Sequence, residues 1–174
     1  MNLNKWTIMS LLVMSVMLIS VFSVATTMAK PGKGHGGPVD KVTGEIWFGI
    51  SQDRTAYARF NAHDIGVAGE DMGNLYFEIP LQELYYEISV YSVNIDGDNA
   101  YIAGQVYDSN IFDDGTWVYI YLKDGGTPGA NGDKWRATTG SSNTVFYWVD
   151  VGYEFSASTL SDVIDGNLVT HTYD

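Results

Sequence analysis

The residues of this chain best suited to hold a cation gather around one glycine-rich stretch, KDGGTPGANGDKWR at 123–136. Asp124 and Asp133 bracket it, Asn131 lies inside it, and Asp113-Asp114 precede the run that feeds it. Carboxylates, an amide oxygen and exposed backbone carbonyls are the ligands of a hard cation, so calcium is the metal this set would suit. The spacing is not that of an EF-hand. A plainer alternative is that each aspartate braces a turn by accepting hydrogen bonds from nearby backbone N–H groups. Pro128-Gly129 suits a type II turn and Asn131-Gly132 a hairpin turn, which makes the stretch a shaped loop. Asp96-Gly97-Asp98 is accounted for by a tight hairpin without a metal.

A second constellation is aromatic. Trp117, Tyr119 and Tyr121 share one face of a run whose other face is Val118, Ile120 and Leu122. If the aliphatic face is core, the rings point outward, and Tyr101 and Tyr107 extend the row where the neighbouring run pairs with it. Exposed rings stack on sugars or form a partner patch; the alternative is that they fill a barrel or a sheet interface.

Signals for catalysis are thin. His35, His63 and His171 are scattered, and neither a G-x-S-x-G elbow nor an H-E-x-x-H helix occurs. In a strand His63 and Asp64 point to opposite faces, which argues against a local pair. Glu45, Glu78, Glu87 and Glu154 read as the wet face of a sheet, unless several meet inside a barrel.

Strands must position these groups. Period-two alternation marks runs at 46–50, 56–62, 75–79, 84–95, 100–107, 116–122, 134–138 and 144–155, with a last short run at 167–173. Pro80 stops the third run and Asp96-Gly97-Asp98-Asn99 folds the fourth back on the fifth. Gly152 marks a bend in the eighth, and Asp165-Gly166 turns the chain into the last. Beyond residue 40 the one helical hint is a turn at 158–163. The expectation is an all-β, antiparallel meander barrel of about eight strands, with a two-sheet β-sandwich as the alternative.

The 174 residues carry a net charge of −12 and no cysteine. No Lys or Arg falls at 60–122 or 137–174, which argues against the basic patch that nucleic acid or an anionic membrane surface requires. Disulfides, thiol nucleophiles and zinc–thiolate sites are excluded. Residues 6–25 are uncharged and apolar behind Lys5, and Ser23-Val24-Ala25 and Thr27-Met28-Ala29 offer small residues for cleavage. That is the layout of a secretory signal; an uncleaved N-terminal hydrophobic anchor helix, the one route to a membrane, is the alternative. Residues 30–39 form a Gly/Pro-rich tether, in which a lone His35 makes no metal site. The expected organisation is signal or anchor at 1–29, tether at 30–39, and a single β domain at 40–174 outside the cytoplasm.

The ordered segments TGEIWFG (43–49), ARFNAHD (58–64), GNLYFEI (73–79), NAYIAGQVYD (99–108), DGGTPGANGDKWR (124–136) and DGNLVTH (165–171) resemble the post-COAP domain family of secreted bacterial and archaeal β proteins. The DGGxPGxxGD loop is the most specific part, and the resemblance covers nearly all of 40–172. Arg59 replaces a frequent glycine and Leu168 a frequent isoleucine. The resemblance implies an extracellular β domain, often attached to larger surface proteins, and brings no catalytic residues.

These readings converge on an exported, non-enzymatic interaction module at the cell surface or outside the cell, with calcium stabilising its loops and an extracellular carbohydrate or protein as partner. The alternatives are a small-barrel enzyme acting on an extracellular carbohydrate or lipid-derived substrate, and a structural envelope or filament component. Carboxylates or His63 inside a cavity would favour the enzyme; a filled interior with rings outside would favour the binder.

Overall fold

The computed structural model describes residues 39–51, 54–66, 70–126 and 132–173. The signal or anchor segment, most of the tether, Pro128-Gly129 and Asn131 lie outside them. Eight strands follow in order: β1 (Asp40–Ser51), β2 (Arg54–Asp64), β3 (Met72–Ile79), β4 (Leu84–Asp96), β5 (Asn99–Ser109), β6 (Trp117–Lys123), β7 (Lys134–Gly140) and β8 (Ser161–His171). Each pairs antiparallel with the next, and β8 returns to β1, so the sheet closes as a meander barrel. The sandwich alternative is set aside.

Period-two alternation does the sorting. Val42, Ile46, Phe48, Ala56, Ala58 and Phe60 are buried, whereas Glu45 and Arg59, paired across β1 and β2, are exposed. Inward side chains from all eight strands make one core, in which Ile46, Ile88, Ile102, Ile120 and Leu122 have essentially no solvent contact. Pro80 ends β3 as expected and opens a single 3₁₀ turn, Pro80–Gln82. Gly97-Asp98 forms the tight connection between β4 and β5.

Two expectations fail. Asp165-Gly166 does not turn the chain into β8; it lies within that strand, where pairing with β1 slips by one residue and pushes Ile164 outward. Gly166 adopts φ +102°, and a Cβ there would sit 2.1 Å from the Glu45 carbonyl oxygen, so only glycine permits the close approach. The run at 144–155 is not a strand. Residues Ser142–Asp150 form the one α-helix of the described residues, α1. Ser141 caps it by accepting from the Thr144 N–H at 3.3 Å. Gly152, at φ +61°, ends it: its N–H donates to the Val149 carbonyl and that of Tyr153 to the Trp148 carbonyl, the paired bonds of a Schellman close.

Closure is uneven. β1 and β8 share eight paired positions, but β7 and β8 share two, Lys134↔Asp162 and Trp135↔Ser161. Beyond those two pairs the β8 edge meets the side chains of Asp133 and Asp124 instead of a strand. At the barrel's ends, the Asp40 carboxylate accepts from the Tyr173 N–H at 2.7 Å.

Candidate functional site

Alternation turns a ring inward; the slant of the strands decides at which level it lies. Phe48 is late in β1, Phe77 late in β3 and Tyr86 early in β4, all towards the end of the barrel that carries the β1–β2, β3–β4 and β5–β6 connections. Trp135 joins them from the start of β7, because it pairs with Ser161, two residues from Val163, the partner of Phe48. The rings pack closely: Phe48 to Trp135 at 4.2 Å, Phe77 to Trp135 at 5.7 Å, and Phe77 stacked on Tyr86 at 4.5 Å and 18°. Phe112, from the β5–β6 connection, meets Tyr86 edge-on at 5.4 Å. Together they line a cup of about 390 Å³, with Ile111 beside Phe112 at its lip. Small barrels commonly take ligands in such mouths.

The cup is carbon-lined apart from the Tyr86 hydroxyl, Ser161, the backbone and Arg136. Arg136 is its one charged residue, and its guanidinium donates to the Thr159 carbonyl at 3.3 Å and lies 6.0 Å from the centre of the Phe155 ring. Burial alone holds the Tyr86 hydroxyl pKa well above the usual tyrosine value, which makes it a poor proton donor or acceptor near neutrality. The lining is thus mostly aromatic and aliphatic, with the hydroxyls of Ser161 and Tyr86 and the Arg136 side chain as its polar groups.

Of the sequence-predicted cation ligands, Asn131 lies outside the described residues, Asp124 and Asp133 meet along the same edge of β8, and Asp113-Asp114 are remote from both. Asp113 and Asp114 lie in the β5–β6 connection, at the opposite end of β6 from Asp124, about 20 Å away along seven residues of strand. Asp124 and Asp133 brace backbone instead. Asp133 accepts from the Gly125 N–H at 2.8 Å and the Leu168 N–H at 3.0 Å; Asp124 accepts from Gly126 at 2.7 Å and Thr170 at 2.9 Å. The turn-bracing alternative describes these bonds, and the braces reach beyond the loop to stitch the unpaired edge of β8. Asp71 acts in the same way, taking the Ile65 and Val93 N–H groups at 2.8 and 2.7 Å. Among the described residues no three histidine or carboxylate side chains converge as a metal would require.

The aromatic row is covered, which corrects the expectation of an open stacking face. Tyr119, Tyr121 and Tyr101 are 0%, 1% and 3% exposed, beneath α1 and the chain that follows it. Trp148 packs on Tyr119 at 5.4 Å, Phe155 at 5.8 Å, and Val145 and Val149 complete a second core outside the barrel. Tyr119 donates to the Tyr153 carbonyl, Tyr121 to Asn99 Oδ1 at 2.8 Å, and Tyr101 to Glu154 at 3.3 Å. Trp117 is half-buried between Phe146 and Tyr91. Tyr107 alone of the five is exposed, and it donates to Glu87.

An outward row does exist elsewhere. Trp47, Tyr57 and Tyr76 step across β1, β2 and β3 with ring centres 5.0 and 6.2 Å apart, and Arg59 lies over Tyr76. Tyr76 donates to Glu78 at 2.7 Å, a bond that pushes its pKa up to about 12. Glu87 and Glu78 are thus tied to tyrosines on the outer face, and Glu154, expected in a strand, follows α1. His63 bonds Asn61, its neighbour on the outward face of β2.

Neither the cup nor this outer row was foreseen, although the inward phase of Phe48, Phe77 and Tyr86 was available from alternation. Comparison with protein-family models, curated proteins and solved structures finds no match for this chain. The resemblance to post-COAP domains therefore rests on the sequence motifs quoted above.

Proposed function

We propose that this chain is an exported, non-catalytic binding module that takes a small apolar ligand into the open end of its barrel. The cup carries the reading. Five aromatic side chains from four strands and a loop enclose a volume near the lower end of the roughly 300–1,000 Å³ common for small-molecule sites. An aromatic lining of this kind favours burial of apolar surface, at about 25 cal/mol per Å² removed from water. The enzyme alternative draws no support from the one tyrosine in the lining, since burial raises the Tyr86 pKa away from the neutral range. The test is titration with the neutral fluorophore N-phenyl-1-naphthylamine. Ala137, which also lines the cup, is the place to fill it: saturable enhancement in the native chain, lost in Ala137→Phe, supports the reading. An unchanged response in a folded Ala137→Phe variant sinks it.

A second reading, retention on an extracellular polysaccharide, is favoured by the Trp47–Tyr57–Tyr76 row, since outward rings beside carboxylates can stack on sugar faces and bond their hydroxyls. Retardation in polysaccharide affinity gels, compared between the native chain and Trp47→Ala/Tyr57→Ala, decides it; equal migration rules it out.

A further inference from the structure

The outer face of β1 to β5 carries phenols and carboxylates that neither the core nor the cup uses. The register sets Glu45 opposite Arg59, Arg59 opposite Tyr76, Tyr76 opposite Glu87 and Glu87 opposite Asp108, while Tyr57 and Tyr85 flank Glu78. Ile46, Ala58, Leu75 and Ile88, their neighbours in sequence, are buried, so alternation turns the whole set outward.

The tyrosines of this face spend their hydroxyl protons on its acids. Tyr76 donates to Glu78 at 2.7 Å, Tyr85 to Asp108 at 3.2 Å, and Tyr107 to Glu87. Tyr57 is held to Glu45 in the same way, and burial together with that carboxylate raises its pKa. A carboxylate that accepts one such bond keeps lone pairs for others. The face therefore offers acceptors and ring faces, both negative, and the donors left among these residues are the Trp47 indole and the Arg59 guanidinium. Arg59 already lies over the Tyr76 ring, 5.9 Å from its centre, which is the contact an incoming cation makes with an aromatic face. Because Trp47, Tyr57 and Tyr76 step across three strands at 5.0 and 6.2 Å, a polymer lying across the strands meets a ring at each step.

From this we infer, building on the polysaccharide reading above, that the polymer retained is an extended amino-sugar chain with free amines. Its sugar faces stack on Trp47, Tyr57 and Tyr76, and its ammonium groups donate to Glu45, Glu78 and Glu87. A neutral glycan leaves those carboxylates without a counter-charge, and an acidic one is repelled by them and by the chain's net charge of −12. A basic peptide meets the charge but brings no sugar face to the rings.

The experiment is calorimetric titration of the full chain with four hexamers: glucosamine with free amines, its N-acetylated counterpart, cellohexaose and hexalysine, at a mildly acidic pH that keeps the amines charged. The free-amine sugar is expected to bind roughly tenfold more tightly than the other three and to lose that advantage in Glu78→Gln/Glu87→Gln. Glutamine still offers each tyrosine an acceptor. Asp113→Asn/Asp114→Asn, which removes the same charge from the β5–β6 connection, is expected to leave the advantage intact. Equal binding of amino and neutral sugars overturns the inference and leaves the polysaccharide reading standing, whereas binding of no sugar overturns both. Hexalysine binding as tightly as the amino sugar, or equal weakening in the two variants, reduces the contact to charge alone and also overturns the inference. Should the glutamine variant fail to fold, the order of the four hexamers against the native chain decides.

Discussion

The carboxylate of Asp133 accepts the backbone N–H of Leu168 across 3.0 Å, joining the loop before β7 to the middle of β8 where no strand pairs with that edge. Asp124 repeats the device at Thr170, whose N–H and hydroxyl both reach one carboxylate oxygen. Side chains here do what a ladder does elsewhere: they satisfy backbone donors that a closed barrel cannot leave bare.

Removing the brace should be expensive for its size. Asp133→Ala strips partners from two N–H groups, those of Gly125 and the buried Leu168, and is expected to cost about 3 kcal/mol in urea unfolding. Asp162→Ala, which breaks an exposed pair with Lys134, is expected to cost less than about 1 kcal/mol. Equal effects would mean that the seam is held by something other than the Asp133 carboxylate.

Calcium is not expected to stabilise the barrel. Both Asp124 and Asp133 already spend their oxygens on backbone N–H groups, and a ligand raises stability only by binding the native state. Thermal unfolding with millimolar calcium and with a chelator should give superimposable curves; a higher midpoint in calcium would show that the loop exchanges these bonds for a metal.

Alkaline pH should expose the buried phenols. Burial raises the pKa of Tyr119 and Tyr86 well beyond the tyrosine range and pushes that of Tyr121 up to about 12. Below pH 10 both folded and unfolded chains hold these protons, so stability is independent of them. Above it the unfolded chain releases protons that the folded chain keeps, and stability falls by about 1.4 kcal/mol per pH unit for each fully buried tyrosine until the folded value is reached. Absorbance titration should show one class of tyrosines ionising reversibly near pH 10 and another only as the chain unfolds. A single reversible wave would contradict this.

The outer helix offers a separate test. Gly152→Ala forces a side chain into φ +61° and should cost about 1 kcal/mol. Trp148→Ala removes the ring over Tyr119 and should cost about 3 kcal/mol. In both variants hydrogen exchange is expected to quicken in α1 well before the β1–β2 ladder; uniform loss across all strands would show that the second core is not separable from the first.

Most strands were legible because Val42 to Phe48, Ala56 to Ala62 and Val118 to Leu122 alternate cleanly and turns punctuate them. α1 was not. Thr144-Val145-Phe146-Tyr147-Trp148-Val149 is rich in β-branched and aromatic residues that favour strands, and its helix rests on docking over Tyr119 and on Ser141 and Gly152 at its ends. Read as a strand, 144–155 leaves the Tyr101–Tyr121 row open; as a helix it covers that row. The aspartate braces were half-legible: a turn role for Asp124 and Asp133 was readable, but partners 46 and 35 residues away were not. Alternation likewise says that Trp135 points inward and is silent on which rings share its level, a matter of strand slant.

The contact between Asp40 and Tyr173 gives the barrel a mechanical character. Both ends leave from the same place, on neighbouring antiparallel strands, so tension applied between them would part the β1–β8 ladder rung by rung, like a zip, instead of shearing all rungs at once. Held from one side, the fold bears no such load. Anchored on both, it would yield at modest force, and the Phe48–Val163 rung, the last of that ladder and the one that carries Phe48 of the cup, would be the final part to open.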